Sequence, residues 1–198
     1  MVLYKYRDFN NLEFALDIFV NQRLFAANFK TLNDPMEGRF VYTKGLLRPG
    51  ELMEIRGSKA RYNILSLGQA PNNMLMWSYY SGGHAGFVVG VEITDDNTEV
   101  EPVQYVEELR LEGVQDNVPK HILSRKLRLW DHEQEYRVFK QNENFVKVEV
   151  KELIFGLKTD SNKKEILTKI ARQFCPEIEV RTITRDQLDT GEDFDNDF

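Results

Sequence analysis

Short segments that alternate apolar and polar residues, or run wholly apolar for five or six positions, recur along this chain mostly in neighbouring pairs. Few stretches carry helical spacing between them, and strict strand-helix alternation is absent. That pattern fits an α+β fold built on a mixed, largely antiparallel sheet with a few packed helices, and it disfavours an alternating parallel architecture. Strands are expected over residues 2–7, 24–27, 63–67, 85–93, 100–105, 145–150, 152–157 and 178–183, with 100–105 the hairpin neighbour of 85–93 across Asp95-Asp96-Asn97. Helices are expected over residues 12–20, from Asn72 or Asn73 through Met74, Leu75, Trp77 and Tyr80, and over 162–173; the basic segment His121 to Arg128 also admits a helix. Residues 39–60, interrupted by Pro49-Gly50, read as a variable connection.

Nothing in the spacing asks for a second domain, so residues 1–189 read as one α+β domain, followed by an acidic, frayed tail at 190–198. At 198 residues the chain is long enough to bury a core without a disulfide or metal staple. Its single cysteine, Cys175, forms no internal disulfide and suits a reducing cytosol. The N-terminal residues lack the apolar core of a signal peptide, and no run approaches the length of a membrane helix, so a cytoplasmic protein without a membrane partner is expected. With 26 basic against 32 acidic side chains the formal charge is −6, which removes the broad basic surface of a duplex-binding protein but leaves room for a local basic groove.

The densest ionisable chemistry lies in Trp130-Asp131-His132-Glu133-Gln134-Glu135-Tyr136-Arg137-Val138. As an extended strand this segment sends Glu133, Glu135 and Arg137 to one face. Two carboxylates sharing a face raise the pKa of at least one of them, the usual route to an acid or base near neutrality, while the arginine opposes the shift. The alternative is an ordinary ion-paired strand face.

Two other stretches stand out. Asn33-Asp34-Pro35-Met36-Glu37 places carboxylates and an amide on a rigid turn, suited to ribose hydroxyls, or else serves only to satisfy turn backbone. Met76-Trp77-Ser78-Tyr79-Tyr80-Ser81-Gly82-Gly83-His84 puts Trp77 and Tyr80 on one helix face, either as a wall for a planar ligand or as core, with His84 either a general base or a structural group. The three histidines lie too far apart in sequence for a metal motif, and phosphate-loop, dinucleotide and nucleophile-elbow signatures are missing.

Five of these stretches occur in register: Leu3-Tyr4-Lys5-Tyr6-Arg7; Asn33-Asp34-Pro35-Met36-Glu37; Met76-Trp77-Ser78-Tyr79-Tyr80 with His84 and Gly86; Lys126 ahead of Trp130, Glu133, Glu135, Tyr136 and Arg137; and Ile154-Phe155-Gly156. Together they resemble the bacterial domain-of-unknown-function 2971 family over nearly the whole chain. The resemblance implies a bacterial or phage-borne protein, often encoded near mobile or defence genes, and no established reaction. The chain departs from that pattern at Tyr80, where a histidine is usual, and at Ile64-Leu65-Ser66, where a Cys-Phe-Ser-like strand is usual. More distantly, Arg7, Ser66 and Glu133/Glu135 occur in the order of the Arg, Ser and Glu-x-Glu elements of ADP-ribosyltransferases. That resemblance implies an arginine on cofactor phosphates, a serine steadying the carboxylate, and the second glutamate on the ribose.

The expectation is therefore an effector or toxin-like protein with an NAD-like nucleotide as cofactor and ADP-ribosyl-transfer or glycohydrolase chemistry. Glu135, Glu133 and His84 are its candidate catalytic groups. Arg7, Asn33, Asp34, Glu37, Ser66, Trp77, Tyr80 and Arg137 are its candidate cofactor contacts, and no metal is expected. The alternative is a non-catalytic module that senses a small ligand or nucleic acid and acts through a protein partner.

Overall fold

The structure is a computed structural model that describes residues 1–96, 98–113 and 117–189. Its elements in chain order are β1 (Leu3–Arg7), α1 (Leu12–Asn21), β2 (Arg23–Phe25), β3 (Ala27–Asn28), β4 (Val41–Tyr42), α2 (Pro49–Ala60), β5 (Tyr62–Gly68), α3 (Met74–Tyr80), β6 (Phe87–Ile93), β7 (Val100–Pro102), β8 (Gln104–Val106), β9 (Arg110–Leu111), α4 (Val118–Leu123), β10 (Arg125–Leu127), β11 (Glu135–Gln141), β12 (Phe145–Phe155), α5 (Ser161–Phe174) and β13 (Glu179–Thr182). Short 3-10 helices occupy Phe29–Thr31, Arg128–Glu133 and Arg185–Gln187. The fold is α+β with mostly antiparallel pairing, as the segment pattern predicts. The expected tail at 190–198 and Asn97 of the expected hairpin turn lie outside the described residues.

The chain divides into two compact units, each assembled from separated segments. The first holds Met1–Arg23, Leu67–Thr94 and the described residues from Lys147 onward. Its strands run β13-β12-β6-β1, antiparallel except for the parallel β12/β13 pair. Residues 87–91 of β6 are all buried, as a strand covered on both faces requires. Register puts Tyr6 beside Val88 and Val88 beside Ile154, and this row packs on Trp77 of α3. The next row, Arg7 with Phe87 and Phe155, points to the opposite sheet face by strand alternation. Asp160 caps α5 by accepting from the Asn162 and Lys163 amides at 3.0 and 3.1 Å.

The second unit holds Leu24–Ser66 and Asp95–Val146. Here the body of β5 lies between β3 and β11, and β7 pairs antiparallel with β11 through Arg137↔Glu101. Two parallel pairs, β8/β10 and β4/β9, flank them. One apolar cluster joins Phe29, Tyr62, Ile64 and Leu123, and another joins Leu47, Ile55, Leu111 and Ile122 where α2 packs on α4.

Several local expectations are corrected. Residues 39–60 hold β4 and the helix α2; Pro49 opens that helix, because its missing amide falls where a helix has no partner for it, and the Glu51 carboxylate accepts from the Arg48 amide at 2.7 Å. Strand β7 is not the partner of β6, both of whose edges are taken by β1 and β12. The basic segment after His121 is helical only to Leu123, then extended as β10. Residues 130–134 are not strand: the chain coils through a 3-10 helix and turns at Gln134, whose φ is 44°, before β11 starts at Glu135. The two strands expected over 145–157 are one, bent by a register shift between Val150 and Glu152. The strand expected over 24–27 is two short ones, because the Ala26 amide turns away to donate to the Asn144 carbonyl at 2.7 Å.

Candidate functional site

In the second unit, β11, β10, the 3-10 helix before β11 and the turn after Asn33 converge on Arg137, whose side chain is 1% exposed. All five of its N–H groups are used. Nη1 and Nη2 donate to the two oxygens of Glu37 at 2.7 Å each, Nε and Nη2 donate to Glu135 at 2.8 and 3.1 Å, and Nη1 also donates to the Leu123 carbonyl. Lys126, on β10, donates to Glu133 and, at 3.4 Å, to Glu135, and its ammonium lies 4.7 Å from the Trp130 ring centroid. Glu133 therefore reaches the cluster from a coiled segment rather than from the strand face that alternation predicts.

Electrostatics decide the state of Glu135. Burial alone pushes its carboxyl up, but Arg137 and Lys126, with hydrogen bonds from Arg137 and Ser66, outweigh it and hold the group at about 2. Burial likewise works against the Arg137 cation, and Glu135 and Glu37 reverse it, so the guanidinium is held above its usual range. The expectation of a carboxyl raised toward neutrality by a like charge is not met at Glu135, because two cations are inserted among the carboxylates. Tyr105 Oη accepts from the Glu135 amide at 2.8 Å, fixing the start of β11.

The turn after Asn33 connects this cluster to an open cavity of about 580 Å³. Asp34, buried, accepts from the Met36 amide at 2.8 Å and so organises the turn. Glu37 lines the cavity while gripped by Arg137, Asn33 is exposed, and Gly38 takes a φ of +66° that brings its Cα against the Phe29 ring. Opposite the turn, α2 contributes Arg56 and Lys59; Phe29, Lys30, Arg39, Phe40 and Tyr42 complete the wall. With Asp34 committed to the turn and Glu37 to Arg137, the cavity carries a surplus of positive charge.

Lys59 is the residue that sequence reasoning passed over. It is 6% exposed, donates to the Gly38 carbonyl, and sits 5.3 and 5.0 Å from the Phe29 and Phe40 ring centroids. Burial, with Arg56 and Arg39 beside it, pushes its ammonium down to about 8, against a weaker pull upward from Glu37. The available signal was spacing: Leu52, Ile55 and Lys59 fall on one helix face, with lysine in the place of an apolar residue.

The remaining candidates, Arg7, Trp77, Tyr80 and His84, belong to the first unit. Trp77 is fully buried, donates to the Pro71 carbonyl at 2.7 Å and meets Tyr6 edge to face at 5.5 Å; Tyr80 packs against the same cluster. The aromatic pair is thus part of that unit's core. His84 stacks on Trp77 at 6.1 Å, adopts φ 70°, and has Nε2 3.3 Å from the Ser78 hydroxyl. Burial, with help from Lys158, lowers its pKa from the ordinary imidazole value. Burial also lowers the Arg7 guanidinium from its ordinary value, against Asp8.

Among the described residues, no cluster of three or more His, Cys, Asp or Glu is placed to hold a metal, and no helix is long and apolar enough to cross a membrane. No family model, no curated protein and no solved structure matches the chain.

Proposed function

We propose that this chain binds a nucleotide-like anion in the cavity of its second unit. The observation that carries the reading is the meeting of Lys30, Arg39, Arg56 and Lys59 with Phe29, Phe40 and Tyr42 around one space of about 580 Å³. Cations meet phosphate, aromatic faces meet a base, and the volume lies in the range of small-molecule sites. Glu37, held at both oxygens by Arg137, is a fixed part of the cavity wall. The Glu133/Glu135/Lys126/Arg137 cluster then acts as the scaffold behind that wall. The five-motif resemblance supports a bacterial or phage-borne setting, and an effector role there is part of the proposal.

The test is a melting-temperature panel with ADP, NAD and adenosine. Upward shifts with ADP and NAD but not with adenosine are expected; equal or absent shifts for all three would sink the proposal.

ADP-ribosyl transfer or glycoside hydrolysis is a second reading, favoured by one contact: the Ser66 hydroxyl bonds Glu135, the pairing that the ADP-ribosyltransferase resemblance implies. An ionised Glu135 suits stabilisation of an oxocarbenium-like transition state. This reading expects NAD consumption by wild type that Glu135→Gln loses; equal consumption by both, or none by either, counts against it.

A further inference from the structure

Lys59 differs from the other cations of the cavity in one chemical respect. Lys30, Arg39 and Arg56 are exposed, whereas Lys59 shares the buried side of α2 with Ile55 and is enclosed by two aromatic rings. The charged groups that weigh most on it are Arg56 from its own helix, Arg39 and Glu37 from the turn, and Lys30 from the 3-10 helix at Phe29–Thr31, three cations against one carboxylate, and Asp34 lines the same cavity while bonded to the turn backbone. Glu37 is already engaged at both oxygens by Arg137. A desolvated amine among cations releases its proton more readily than a surface lysine, and the neutral amine is a nucleophile.

We infer that Lys59 is a covalent attachment site, whose ε-amine condenses with the carbonyl carbon of an aldehyde or ketone bearing a phosphate. The inference rests on the anion-binding reading of the cavity, because Arg39 and Arg56 supply the contacts that hold the phosphate. In the step, the Nζ lone pair attacks the carbonyl carbon and the C–O π pair moves to oxygen. The resulting carbinolamine loses that oxygen as water, which carries away the two amine protons, and a C=N bond remains. A solvent proton on the imine nitrogen gives the iminium, whose charge the substrate's own phosphate offsets. No oxidant or reductant is consumed.

The experiment uses pyridoxal 5′-phosphate as the probe, with pyridoxal as the phosphate-free control, borohydride to fix any imine, and peptide mass mapping to locate it. The expected result is one adduct, at Lys59, forming at least tenfold faster than with pyridoxal and missing from Lys59→Arg. That variant keeps the charge and a donor for the Gly38 carbonyl, and its melting temperature confirms that it folds. Adducts scattered over surface lysines, or an unchanged adduct yield in Lys59→Arg, would overturn the inference. Nucleotide-induced melting shifts without a Lys59 adduct overturn the covalent step and leave the binding reading standing. A Lys59 adduct without nucleotide shifts supports the covalent step and removes the nucleotide reading.

Discussion

Arg137 grips Glu37 through two parallel hydrogen bonds of 2.7 Å, joining residues one hundred positions apart in sequence. The pair is buried, and the same guanidinium also holds Glu135. Such a cluster is costly to leave half-made: removing one partner strands the other charges away from water. Arg137→Ala is expected to destabilise the fold by about 3–5 kcal/mol, since both Glu37 and Glu135 lose their main counter-ion. For a chain of this size that lowers the melting temperature by roughly 6–20 °C, readable by circular dichroism. A variant that melts within a degree or two of wild type would show that the cluster contributes little to the fold.

Acid should expose the same cluster. The Glu135 carboxyl sits at about 2 in the folded chain against an ordinary 4.5, so between those values the unfolded chain binds more protons. Its stabilising contribution is complete above about pH 4.5 and is lost as pH falls toward 2. Urea unfolding from pH 6 down to pH 2 should show that loss, and Glu135→Gln should flatten it. An identical acid limb in the variant would assign the acid sensitivity elsewhere.

Gly38 lines the cavity where the turn presses on the Phe29 ring. A Cβ there meets the Phe29 ring at 2.7 Å, and its φ of +66° disfavours any L side chain. Gly38→Ala is expected to cost about 1–2 kcal/mol from backbone conformation, with further loss from the ring contact. Because the Gly38 carbonyl accepts from Lys59, the substitution should weaken ligand binding as well as stability. Gly57→Ala on α2, where a Cβ meets nothing, is the control expected to retain both. Equal losses at the two glycines would show that the Gly38 backbone has no special part in the cavity wall.

The strands were the legible part of this chain, because half-buried segments such as β1 and buried ones such as β6 write their environment into a period of two or an apolar run. Pairing was not legible: β7 reads like a hairpin partner of β6, yet partners are chosen by edges already occupied, which one sequence does not state. The motif around Glu135 is legible for its charges, and of the two states its sequence leaves open the ion-paired one describes Glu135. Alternation puts Glu133, Glu135 and Arg137 together and the motif includes Lys126, but only the fold shows Lys126 bonded to both glutamates and brings Glu37 in from a distant turn. Lys59 was missed since a lysine in a mixed-charge stretch reads as solvated, while helix α2 turns it inward beside Ile55. The division into two units is equally hidden, because both units interleave along the chain and no linker marks the crossings.

Nucleotide binding in the cavity of the second unit, as proposed, depends on its cations. Isothermal titration of ADP into wild type and into the double variant Arg39→Gln/Arg56→Gln tests it most directly. Both arginines are exposed, so the variant should fold as wild type does. Wild type is expected to bind saturably, at least tenfold more tightly than the double variant and more weakly when salt is added. Binding of equal strength in both proteins, or no heat from either, would contradict it.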